Sequence, residues 1–182
     1  NRDYCTKITN IYNSMESFKV AAKDAYWKFT NEIITGSSDN STQELFLKDL
    51  KDKIEKNGFG IVAEFNGSAR TETIDSDYLN SIGVDVLRVN DKAREITHRI
   101  VPEGRSLNLC REELEKKHLI DRRYVLGFVP DNDGDRGNVV YINSKTGKAQ
   151  IIEAQTVFAI SVLSELASLF YKGNKPGKIA VC

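Results

Sequence analysis

Three carboxylates at alternate positions of one short turn, Asp131-Asn132-Asp133-Gly134-Asp135-Arg136-Gly137, constrain this chain more than any other feature. Two carboxylates about 4 Å apart repel by roughly 4 kcal/mol at an effective dielectric of about 20. Such a turn is either fully solvated or built around a hard cation, and oxygen-only ligands favour magnesium, calcium or manganese. The flanking runs say what the turn joins. Tyr124 to Pro130 leads in and Asn138 to Asn143 leads out, and both are rich in β-branched and aromatic residues. A connection this short cannot hold a crossover helix, so the two strands are antiparallel neighbours. The aspartates then lie at the carboxyl end of the first strand, where α/β folds open a ligand crevice.

Two other readings compete. Asp, Asn and Gly are also the commonest turn formers, so the run can be a solvated turn and nothing more. An EF-hand calcium loop fails twice: counting from Asp131, the sixth position is Arg136 where Gly is required, and the twelfth is Ile142 where a bidentate Glu is required.

The rest of the chain has an alternating pattern. Tyr4, Ile8, Ile11, Met15, Phe18, Ala22, Ala25, Phe29 and Ile33 recur every three or four residues without a Pro, which predicts one long amphipathic helix ending near Gly36 and packed on its own domain. Ser37 to Thr42 reads as a linker, and Ser41 with Glu44 as a capping box that opens a second helix through about Asn57. Strands are expected over Phe59 to Phe65 and Val84 to Val89, and helices over Thr71 to Ser81 and Arg111 to Lys117. Asn90 to Cys110 reads as a long polar loop. Glu153 to Tyr171 reads as a closing helix that buries Val157, Ile160, Leu163, Leu166 and Leu169. The fold class is α/β: a three-layer domain with a mixed, mainly parallel sheet between helices, preceded by a long helix. Three segments are expected: 1–36 helical, 41–173 the α/β domain, and 174–182 the start of a truncated following domain.

Composition narrows the partners. Lys plus Arg and Asp plus Glu number 26 each, so no basic excess points to nucleic acid or an acidic membrane surface. Cys5, Cys110 and Cys182 are odd in number and widely spaced, which supports neither a disulfide framework nor a zinc site and fits a reducing cytoplasm. No apolar run approaches the roughly 20 residues of a membrane span.

The segment Gly127 to Asn138 resembles the magnesium loop of the α-D-phosphohexomutase family, the phosphoglucomutases and phosphomannomutases. Three further segments resemble that family's second domain: Ile61 to Arg70, Tyr78 to Val86 and His98 to Gly104. The resemblance covers roughly 58 to 170. It implies that Asp131, Asp133 and Asp135 hold Mg2+, and that Arg136 meets phosphate oxygens as a catalytic group. It further implies that the parent protein moves phosphate between positions 1 and 6 of a hexose phosphate through a phosphoserine. Asn132 stands where the family usually has Gly. The family's serine, sugar and phosphate loops have no counterpart in the sequence, so these residues alone are expected to be inactive, with other domains of the same chain as their partners. The competing function is a non-enzymatic calcium-binding α/β module.

Other residues carry weaker signals. Asn66 to Arg70 can cradle a phosphate with its amides, or can form a plain strand-to-helix turn capped by Ser68. His98 and His118 have no second His or Cys at metal-ligand spacing and read as solvated or locally bonded. Cys110 reads as a small apolar core residue.

Overall fold

The computed structural model describes residues 2–171 together with 173 and 177. The tract expected to open a following domain, 174–182, lies outside the described residues except for 177. The chain divides into two compact units, one of 1–58 with 72–84 and the other of 59–71 with the chain from 85 onward.

The first unit is helical: α1 (Arg2–Thr35), α2 (Asn40–Asn57) and α3 (Asp75–Ser81). Gly36 ends α1 as expected, at φ 67° with its N–H donating to the Glu32 carbonyl at 2.8 Å. The apolar stripe of α1 behaves differently along its length. Trp27 meets Tyr78 edge-on with ring centroids 4.9 Å apart, and Tyr78 donates its hydroxyl hydrogen to Asn31 Oδ1 at 2.8 Å. Tyr4, Ile8, Ile11 and Phe18, by contrast, are each more than 60 % exposed, so the expected packing of the whole stripe does not occur. Length explains this: 34 residues span about 51 Å, while the 18 residues of α2 span about 27 Å, and the amino-terminal half of α1 outruns its partner. The cap of α2 also differs. Asp39, two residues before Ser41, accepts from the Thr42 amide at 2.8 Å and the Thr42 hydroxyl at 2.7 Å. A full negative charge at a helix amino end outcompetes a hydroxyl.

The second unit is α/β, as expected. Its strands are β1 (Gly60–Glu64), β2 (Asp85–Val89), β3 (Tyr124–Pro130), β4 (Gly137–Ile142) and β5 (Ala149–Ile152), in the order β2-β1-β3-β4-β5. β1 pairs parallel with both β2 and β3, and β3–β4 and β4–β5 are antiparallel, so the sheet is mixed. The short turn at the aspartates does join antiparallel neighbours. Every residue of β1 is buried, as an inner strand with two neighbours should be. α4 (Asn108–Ile120) lies on the sheet and begins earlier than the expected Arg111, after a 3₁₀ turn at Gly104–Leu107. Leu107, Cys110 and Leu114 enter the core with Val62, Tyr124, Val129 and Val140. Cys110 is a core residue, as its sequence context predicted.

α5 (Ala154–Tyr171) departs from expectation, since none of its residues is buried; Ile160 and Leu163 are 47 % and 67 % exposed. A strict i, i+3 ladder drifts around a 3.6-residue helix by about 60° per step, so those five residues cannot share one face. Among the described residues, α5 is the one helix long and apolar enough to cross a membrane by length and composition. Glu165 interrupts it.

Candidate metal centre

The acidic loop occupies 131–136, between the last residue of β3 and the first of β4. Its ends are pinned by the Asp131 N–H, which donates to the Arg136 carbonyl at 3.0 Å. Asp131 is 2 % exposed and organises the turn from within. Its Oδ1 accepts from the amides of Gly134 and Arg136 at 3.0 and 3.1 Å, and its Oδ2 from Arg136 Nε at 2.8 Å. Gly134 sits at φ 81°, a backbone conformation that costs glycine nothing. Asp133 and Asp135 are exposed at the loop surface, and one ligand oxygen from each aspartate lies within 4.8 Å of the other two.

The electrostatics match three crowded carboxyls with the Arg136 guanidinium beside them. Burial works to raise Asp131, but hydrogen bonds from the Arg136 amide and guanidinium, from Asp135 and from the Gly134 amide outweigh it, and the carboxyl sits below its ordinary range. Asp135 moves the other way: its close approach to the Asp131 carboxyl, then the charge of Asp133, push it up. Arg136 Nε lies 2.8 Å from Asp131 and 3.7 Å from Asp135, so this guanidinium partly balances two of the three acids.

The donor set fits a hard cation. All three ligands are oxygens lying within 4.8 Å of one another, and these carboxylates would close further around magnesium, which takes oxygens at about 2.0–2.1 Å, than around calcium at about 2.3–2.6 Å. Asp131 Oδ2 has a second lone pair beyond the one that takes Arg136, so it too can face an ion.

The neighbouring turn is not a phosphate cradle. The amide of Asn66 donates to Glu64 Oε1, that of Gly67 to the Asn90 carbonyl, that of Ser68 to the Phe65 carbonyl and that of Ala69 to the Asn132 carbonyl. All four are spent inside the protein, which is the plain-turn alternative. Ser68 is not its cap, since its hydroxyl is buried without a partner. The stem of Arg70 lies against Gly134, which brings this turn to the acidic loop because parallel β1 and β3 end at the same edge of the sheet.

His118 is locally bonded, its Nδ1 donating to the Tyr124 carbonyl at 2.8 Å. His98 pairs with Glu64, a wholly buried carboxylate that sequence reasoning passed over. The signal was present: a Glu inside the apolar run Ile61-Val62-Ala63-Glu64-Phe65, where a charge must find partners. No family model matches this chain, and no curated protein matches it either.

Proposed function

We propose that the α/β unit is the metal-binding domain of a phosphohexomutase of phosphoglucomutase or phosphomannomutase type. In that reading, phosphate passes between positions 1 and 6 of a hexose through a phosphoserine held outside these residues. The observation that carries it is the convergence of Asp131, Asp133 and Asp135 on a turn after a parallel strand, with Arg136 folded among them. Sequence resemblance supplies the reaction, and the geometry supports the ligand assignment within it.

Asp131, Asp133 and Asp135 would hold Mg2+, which when bound neutralises charge on the phosphoryl group. Arg136 is the anion partner. Its side chain is largely exposed, and exchanging a carboxylate for a phosphate oxygen asks only for rotation about its own bonds. Asp131 positions the loop through the Gly134 and Arg136 amides whether or not Arg136 leaves it.

The test is turnover by the protein encoded by the intact reading frame. It is expected to convert glucose 1-phosphate or mannose 1-phosphate into the 6-phosphate, Asp133→Asn is expected to abolish this, and the 182-residue chain alone is expected to be inactive. An intact protein that binds calcium and turns over neither sugar phosphate would overturn the proposal in favour of a non-enzymatic calcium-binding module.

A further inference from the structure

Glu64 ends β1 and is wholly buried. A carboxylate taken out of water needs partners for the lone pairs it turns inward, and Glu64 has three. Oε1 accepts from the Asn66 amide at 3.0 Å and from Asn90 Nδ2 at 2.8 Å, and Oε2 faces His98 Nε2 at 2.8 Å. The other ring nitrogen of His98 faces the Arg99 carbonyl at 2.9 Å. Both nitrogens are committed, so His98 has none left to serve as a base or a metal ligand. Asn66 extends the network: its Oδ1 accepts from the amides of Thr97 and His98 at 2.8 and 3.1 Å, and its Nδ2 donates to the His98 carbonyl at 3.0 Å. These bonds strap residues 90–99 across the turn that follows β1.

Contact carries the restraint onward. Gly67 sits at φ 64°, and a Cβ there would lie 2.6 Å from the backbone of Glu95. Its N–H donates to the Asn90 carbonyl at 2.9 Å, and its carbonyl accepts from the Arg94 amide at 2.8 Å. On the far side of the same turn, the Ala69 amide donates to the Asn132 carbonyl at 2.9 Å, and the Arg70 stem covers Gly134. Asn132 and Gly134 are the two residues that separate the three aspartates.

We propose that Glu64 is a positioning residue for the acidic loop. By fixing Asn66 and the strap, it sets where Ala69 and Arg70 meet Asn132 and Gly134, and so the shape in which Asp131, Asp133 and Asp135 are presented. The metal role rests on the function proposed above; the coupling of turn to loop does not.

Backbone hydrogen exchange over 131–137, with and without Mn2+, separates the two claims in wild type, Glu64→Ala, Glu64→Gln and His98→Ala. Glutamine can hold the network, its carbonyl accepting from Asn66 and Asn90 and its NH2 donating to an unprotonated His98 Nε2. Supporting groups behind metal ligands typically change affinity by about 10–100-fold. Glu64→Ala is therefore expected to weaken Mn2+ binding about tenfold and to speed exchange at the Gly134 and Arg136 amides, with Glu64→Gln restoring both to within about twofold. His98→Ala, altering a partly exposed side chain, should act in the same direction if Glu64→Ala does not fold. Wild-type exchange over 131–137 alongside faster exchange over 90–98 would overturn the proposal, as would equal acceleration across β4 and β5, which marks general destabilisation. Coupling without any protection of the wild-type loop by Mn2+ would uphold the positioning role and sink the metal assignment.

Discussion

Gly127 lies in β3, opposite Val140 on one side and Val62 on the other, and a side chain there has nowhere to go. An added Cβ would meet Cys110 Sγ at 2.5 Å, Val140 Cβ at 3.5 Å and the Val62 carbonyl oxygen at 3.6 Å. Only the first is a clash, and it falls short of an ordinary van der Waals contact by about 1 Å. Cys110 is fully buried on α4, so relief requires the thiol or the helix to move. Overpacking of this kind costs about 1–3 kcal/mol, while the lost freedom of glycine in the unfolded chain returns about 0.4–1 kcal/mol. Gly127→Ala is expected to destabilise the α/β unit by about 1–2 kcal/mol. Cys110→Ala alone should also destabilise, through the cavity it leaves. In the double variant the new methyl fills the space vacated by sulfur, so the two changes should offset each other by about 1–2 kcal/mol. Trp27 is the chain's single tryptophan and lies in the helical unit, so its fluorescence is blind to this site. Urea unfolding read by hydrogen exchange at β3 and β4 amides is the suitable assay. A neutral Gly127→Ala, or a double variant as unstable as the two single effects added, would refute the packing argument.

Burial pushes the Cys110 thiol from an ordinary 9.0 up to about 12, with the charge of Glu64 adding to the effect. The folded state then keeps a proton that the unfolded chain releases, so this contribution to stability is present below pH 9 and is lost as pH rises toward 12. Urea midpoints of wild type and Cys110→Ala should converge over that range, and a thiol reagent at pH 8 should modify exposed Cys5 long before Cys110. Tyr78→Phe removes the hydrogen bond to Asn31 and should lower the stability of the helical unit by about 0.5–1.5 kcal/mol, read by Trp27 fluorescence. Ile11→Lys, on the exposed half of α1, should leave the same fluorescence midpoint within about 0.5 kcal/mol.

Local chemistry was legible in the sequence. The stripe of α1 and its stop at Gly36, the β-rich runs around the aspartates and the antiparallel turn between them follow from periodicity and loop length, which depend on neighbours in sequence. The clustering of Asp131, Asp133 and Asp135 is also local, because alternate residues of one turn cannot move far apart. What a side chain faces is another matter. Ile160 and Leu163 looked like core and are exposed, since burial needs a partner surface that a helix cannot supply for itself. Ile8 and Ile11 are exposed for the same reason, as α1 is longer than what it packs against. The β5 strand at Ala149–Ile152 is too short to announce itself and exists because β4 offers an edge to pair with. Glu64 and His98 stand 34 residues apart and meet at 2.8 Å only because the loop after β2 folds back over the end of β1. Sequence dictated that a buried glutamate must have partners. Only the tertiary structure could choose them, because pairing across such separations is set by which strands lie side by side.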